Sequence, residues 1–109
     1  MNGVTVPEVD VQEAARLQAE GMPVFDVREP DEYEAGHAAG AVLIPLGELP
    51  DRLAEIPLDR PVLLICRSGA RRGRATAFVN EQGGRATNVG GGTLAWVEAG
   101  LPTVTGPNA

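Results

Sequence analysis

Three residue types that build many metal and covalent sites are nearly missing from this chain. It has one cysteine, one histidine and no lysine among 109 residues. A single cysteine excludes an internal disulfide framework and every multi-cysteine metal site, and one histidine excludes the usual zinc ligand sets. Without lysine there is no Schiff-base chemistry on a lysine, and all nine basic residues are arginine. Long apolar runs are missing too. The longest, Val62 to Cys66, falls far short of the roughly 20 residues a membrane helix needs. Met1 to Asp10 lacks the basic start and apolar middle of a signal peptide, so the expectation is a soluble, cytoplasmic protein with no membrane partner. Positive charge is scarce: fifteen carboxylates against nine arginines give a net charge of −6, which disfavours nucleic acid and anionic surfaces as partners.

What is present suits one compact globular unit. Apolar residues make up 43% and charged residues 22%, and the length is that of a single domain. The expectation is one domain over residues 1–109, with a core over about 5–102 and a loose tail over 103–109. Asp10 with Glu13 forms a capping-box pattern, and the apolar spacing after it predicts a helix over 10–20. Val24 to Val27 reads as a strand, and 30–35 as a short helix opened by Pro30 and closed by Gly36. Ala41 to Ile44 is a further strand, and 50–55 is helical up to Pro57. Val62 to Ile65, apolar on both faces, predicts a central parallel strand covered on both sides. A helix over 71–82 follows, then a strand over 86–89, a glycine turn, and a helix over 93–99 capped by Thr93. This alternation predicts an α/β fold with a parallel sheet, helices on both faces and a site beyond the carboxyl ends of the strands.

The charge pattern and the glycines point to one segment. Between Arg60 and Asn80 there are five arginines and no carboxylate, in a chain that is acidic elsewhere. The predicted strand ends at Cys66, and Arg67, Ser68, Gly69 and Ala70 lead into a helix that starts at Arg71. Consecutive N–H groups in such a turn, with Gly69 free to take unusual backbone angles, would form an anion cradle at a helix N-terminus. These surroundings favour a thiolate over a thiol, which makes Cys66 the expected nucleophile and residues 67–71 its substrate-binding loop. A lone cysteine at a strand end is otherwise a small packing residue. Asp26 and Arg28 stand at the carboxyl end of another strand, where an ion pair would either support the active loop or serve structure alone. His37 is read as a structural hydrogen-bonding residue, Trp96 and Tyr33 as packing residues.

Several segments in order carry a resemblance. They are Phe25-Asp26-Val27-Arg28-Glu29-Pro30 with Glu32-Tyr33, then Gly36-His37-Ala38-Ala39-Gly40-Ala41 leading to Ile44-Pro45-Leu46. Cys66-Arg67-Ser68-Gly69-Ala70-Arg71 follows, and Gly91-Gly92-Thr93-Leu94-Ala95-Trp96 with Ala99-Gly100-Leu101-Pro102 completes the set. In these segments the chain resembles the single-domain rhodaneses, which are thiosulfate sulfurtransferases. The resemblance implies a sheet of about five parallel strands, and a Cys66 that takes sulfane sulfur from thiosulfate or a related donor as a persulfide. Arg67 and Arg71 would bind the anionic donor. Cyanide, a small thiol or a protein thiol, such as that of a thioredoxin-like protein, would remove the sulfur. No metal and no organic cofactor is called for.

Two departures from that pattern bear on specificity. Arg72 stands where a small hydroxyl residue is common, and Gly90 where an acidic residue is common before the double glycine. Arg72 is therefore a further possible supporting residue. It also leaves a rival open, because cysteine phosphatases and arsenate reductases place five residues between cysteine and arginine. Arg71 gives the four-residue spacing and Arg72 the five-residue one. Against the rival, Gly73 follows Arg72 where phosphatases use a hydroxyl residue, and arsenate reductases use a further thiol. A non-catalytic interaction module on the same fold is the remaining alternative.

Overall fold

The computed structural model describes residues 6–68 and 73–109. Five strands form a parallel sheet in the order β1-β6-β5-β2-β4: β1 is Glu8–Val9, β2 Val24–Asp26, β4 Val42–Leu43, β5 Pro61–Ile65 and β6 Arg85–Val89. The expected α/β architecture is present, with β5 in the centre. Its side chains alternate between two cores. Val62 and Leu64 pack with Phe25, Ile44, Leu49 and Val79, while Leu63 and Ile65 pack with Val11, Ala14, Val89 and Trp96. A strand buried on both faces needs apolar residues at every position, and β5 has them.

Helices α1 (Val11–Ala19) and α5 (Gly92–Glu98) cover one face, and α3 (Leu49–Arg52) and α4 (Arg74–Glu81) the other. The Asp10 carboxylate accepts the Glu13 N–H at 2.8 Å, as the capping pattern requires. In α2 (Pro30–Ala35), Pro30 occupies the first turn and the Glu29 N–H donates to the Glu32 carboxylate at 3.2 Å.

Two expectations need correction, and a third, the helix start at Arg71, lies outside the described residues: α4 runs from Arg74, after Gly73 with its left-handed φ of +71°. A side chain at 73 would also run into Val6. Thr93 lies inside α5 and does not cap it, since Gly91 takes the cap position with φ +79°. The tail is tied down. Strand β7 (Thr103–Val104) pairs antiparallel with β3 (His37–Ala38), the Trp96 indole donates to the Pro102 carbonyl at 2.7 Å, and the Gly106 N–H donates to Glu34 at 2.8 Å. Such pairing satisfies backbone groups that a loose tail would leave to water.

Candidate active site

The sheet places Cys66 at its topological switch point. After β2 the chain moves outward to β4, and after β5 it moves the other way to β6, so the two crossovers diverge and leave a crevice beyond the ends of β2 and β5. Cys66 follows Ile65 directly, is half-buried, and packs against the core under α4. The Val27 N–H donates to the Ile65 carbonyl at 3.0 Å, locking the two strand ends together at that crevice.

The backbone at Cys66 and Arg67 is held by α5. The Thr93 N–H and hydroxyl both donate to the Cys66 carbonyl, at 2.8 and 3.0 Å, and the Leu94 N–H donates to the Arg67 carbonyl at 3.0 Å. Helix N-termini present N–H groups with no partner inside the helix, and here two loop carbonyls take them. Gly92 makes the approach possible. Its φ is +60°, and a Cβ there would lie 2.6 Å from the carbonyl oxygens of both Cys66 and Arg67. The sequence reading took 90–92 as a turn only; the signal available was the run of three glycines.

Asp26 and Arg28 form the buried ion pair considered from sequence. The Arg28 guanidinium reaches the Asp26 carboxylate at 2.8 Å through Nη2 and at 3.0 and 3.1 Å through Nε, and the Arg28 N–H adds a fourth bond at 3.0 Å. Arg28 Nη2 also donates to the Gly36 carbonyl at 2.8 Å, tying the end of β2 to the end of α2. Arg28 thus both spans structure and borders the site. A pocket opens beside Cys66, walled by Arg67 and Ser68, by Val27 and Arg28 after β2, and by Arg74 at the start of α4. Gly69, Ala70, Arg71 and Arg72, which complete the expected loop, lie outside the described residues.

Sequence reasoning also passed over Glu29, Glu32 and Asn88, which line the same pocket. Asn88 is buried and donates to the Glu8 carboxylate at 2.8 Å. That carboxylate stands against Gly90, where a Cβ would lie 2.9 Å from it, so an acidic group from β1 occupies the space beside the position noted as lacking one. His37 is buried, stacked on Tyr33 with centroids 3.5 Å apart, with its ring nitrogens 2.6 Å from the Tyr33 carbonyl and 2.8 Å from that of Asn108. Its place is structural, away from the pocket-lining residues. Among the described residues no cluster of His, Cys, Asp and Glu is arranged to hold a metal ion, and no helix is long and apolar enough to cross a membrane.

Comparison with known proteins agrees with the geometry. The rhodanese-like domain model matches residues 10–99. The chain belongs to the rhodanese-like family. It is 40% identical over 102 residues to a sulfurtransferase of Allochromatium vinosum, covering 91% of this chain and 95% of that one. It is 33% identical over 89 residues to the thiosulfate sulfurtransferase GlpE of Pseudomonas entomophila, covering 81% and 82% respectively. Among solved structures, a rhodanese-related protein from Thermoplasma volcanium superimposes with a TM-score of 0.82 at 30% identity, covering 90% of this chain and 97% of that one. Other curated relatives are longer, and the chain spans 41% of the length of one of them. These similarities support a sulfur-transfer role for the rhodanese-like domain.

Proposed function

We propose that this rhodanese-like domain is a sulfurtransferase in which Cys66 carries the transferred sulfur. The observation that supports this most directly is the position of the single thiol at the switch point of the sheet, opening on a pocket with Arg67 and Arg74 on its wall. A Cys66 thiolate attacks the outer sulfur of thiosulfate, the sulfur–sulfur bond of the donor breaks, and sulfite leaves with the electron pair. The product is a Cys66 persulfide. An acceptor such as cyanide, a small thiol or the thiol of a thioredoxin-like protein then takes the outer sulfur and returns the thiolate. Backbone N–H groups of residues 67–71 would hold the persulfide anion, and Arg67 and Arg71 the anionic donor.

Mass spectrometry after incubation with thiosulfate tests the reading. The expected result is an increase of one sulfur, localised to Cys66 and reversed by cyanide. No added sulfur, or sulfur elsewhere in the chain, overturns it. Arg67→Ala should raise KM for thiosulfate several-fold more than it slows discharge to a neutral acceptor, because a fixed positive group mainly binds the dianion.

A further inference from the structure

The pocket beside Cys66 is polarised. On one wall stand Arg67 and Arg74; on another, at the start of α2, stand Glu29 and Glu32. Some charges of the chain are neutralised in ion pairs: Arg16 bridges Glu13 and Glu20, Arg52 bridges Glu48 and Glu55, and Arg28, itself in the pocket lining, holds Asp26. Among the described residues, none of the four charged groups on the two walls forms an ion pair. Glu32 does accept the Glu29 N–H at 3.2 Å, but that bond brings a neutral donor and leaves the negative charge in place. Among the described residues the pocket lining therefore carries unpaired charge of both signs, and Cys66 is part of the same lining.

A purely anionic ligand is matched by only one of these walls. Thiosulfate satisfies the arginines and is repelled by the glutamates, which suits a donor that arrives, leaves its sulfur and departs as sulfite. An acceptor that carries an ammonium group two carbons from its thiol is matched by both walls. Its thiolate belongs on the arginine side, where the persulfide is, and its ammonium on the glutamate side. The ammonium also makes the neighbouring thiol more acidic, so such an acceptor presents more thiolate at neutral pH.

We propose that the pocket selects a small zwitterionic aminothiol as the sulfur acceptor, with Glu29 and Glu32 receiving its ammonium group. This rests on the sulfur-transfer reading of Cys66. The acceptor releases its thiol proton to water and its thiolate forms a bond to the outer sulfur of the persulfide. The bond between that sulfur and Cys66 breaks, its electron pair stays on Cys66 as thiolate, and the aminothiol leaves as its own persulfide. No oxidant or reductant enters.

The test compares discharge of the thiosulfate-loaded protein by cysteamine and by 2-mercaptoethanol, which differ by ammonium against hydroxyl at the same distance from sulfur. The quantity read is the ratio of their second-order rate constants, taken for the parent and for Glu29→Gln/Glu32→Gln. Dividing one ratio by the other cancels the intrinsic reactivity of the two thiols. The double variant should lower the ratio about fivefold, as expected for two partly exposed ion pairs, and raising ionic strength should lower it in the parent alone. The salt series needs no variant, so a double variant that fails to fold does not block the test. A ratio that is the same in parent and variant, or unmoved by salt, while cyanide still discharges the protein, overturns this inference and leaves the sulfur-transfer reading standing. A protein that takes no sulfur from thiosulfate overturns both.

Discussion

Thr93 gives both its backbone N–H and its hydroxyl to one acceptor, the Cys66 carbonyl, at 2.8 and 3.0 Å. The proposed nucleophile therefore sits on a backbone position fixed by a helix from another part of the chain. A carbonyl drawn toward α5 points the N–H of the same trans peptide, that of Arg67, the opposite way. The double bond also explains why a threonine stands at the second position of α5, where its hydroxyl takes no part in capping that helix.

Thr93→Val keeps the shape and the N–H bond but removes the hydroxyl. We expect a loss of about 1 kcal/mol in stability and a several-fold slower sulfur loading by thiosulfate, with Thr93→Ser close to the parent. Stopped loading time courses and urea titrations give the two numbers. A valine variant that loads as fast as the parent would remove the hydroxyl from any part in setting the site.

Gly92→Ala should be more damaging. The new methyl meets two carbonyl oxygens at 2.6 Å in a backbone with φ +60°, so the Cys66–Arg67 segment must move as well as the helix. The expected cost is about 1–3 kcal/mol with near-complete loss of sulfur loading. Gly100→Ala is the matched control, because φ is +73° there but nothing lies within 4 Å of the added Cβ. It should cost stability alone. Equal loading rates in the two variants would show that the close approach at Gly92 does not shape the site.

The buried Asp26–Arg28 pair divides by partner. Asp26 has no exposed surface, so Asp26→Ala leaves a guanidinium with one carbonyl partner, Gly36, and should destabilise by about 3–5 kcal/mol. Asp26→Leu combined with Arg28→Met removes both charges and should recover part of that loss. Denaturant midpoints for the single and double variants decide it. A double variant no better than Asp26→Ala would mean the packing around the pair, and not its charge, carries the effect.

Local rules reached most of the frame. Val62 to Ile65 announced a central strand because burial on both faces demands four apolar residues in a row, and Asp10 with Glu13 announced a helix start because the capping bond joins near neighbours. Cys66 with its arginines marked the candidate site for the same reason: charge and glycine density are read along the chain. Contacts between distant segments were not legible. Thr93 reaches back 27 residues to Cys66, Asn88 reaches 80 to Glu8, and the tail returns 71 from Asn108 to His37, and no local pattern encodes such separations. Glu29 and Glu32 entered only as part of the segments that carry the family resemblance, because their place in the pocket lining exists only once β2 and β5 are paired.

Alkaline pH offers a clean probe of the α2–β4 corner. Tyr33 is buried, donates its hydroxyl to the Ala41 carbonyl, and is held above the usual tyrosine range first by burial and then by the Asp26 charge, with Arg28 opposing. Its folded-state pKa exceeds the unfolded value of about 10, so the folded chain holds its proton more tightly. The stability this confers is complete below about pH 10 and is lost as pH rises toward the folded value. The chain has no lysine and one tyrosine, and arginine stays charged, so with the single thiol replaced Tyr33 is the side chain left to ionise in that range. In a Cys66→Ser background, stability should therefore fall with pH above about 10 through Tyr33 alone. Tyr33→Phe in the same background should lose about 1 kcal/mol at neutral pH for the missing hydrogen bond, yet show a flat profile where the parent declines. Thermal melts at pH 8 to 11 make the comparison. A decline of equal slope in the phenylalanine variant would place the alkaline sensitivity elsewhere in the fold.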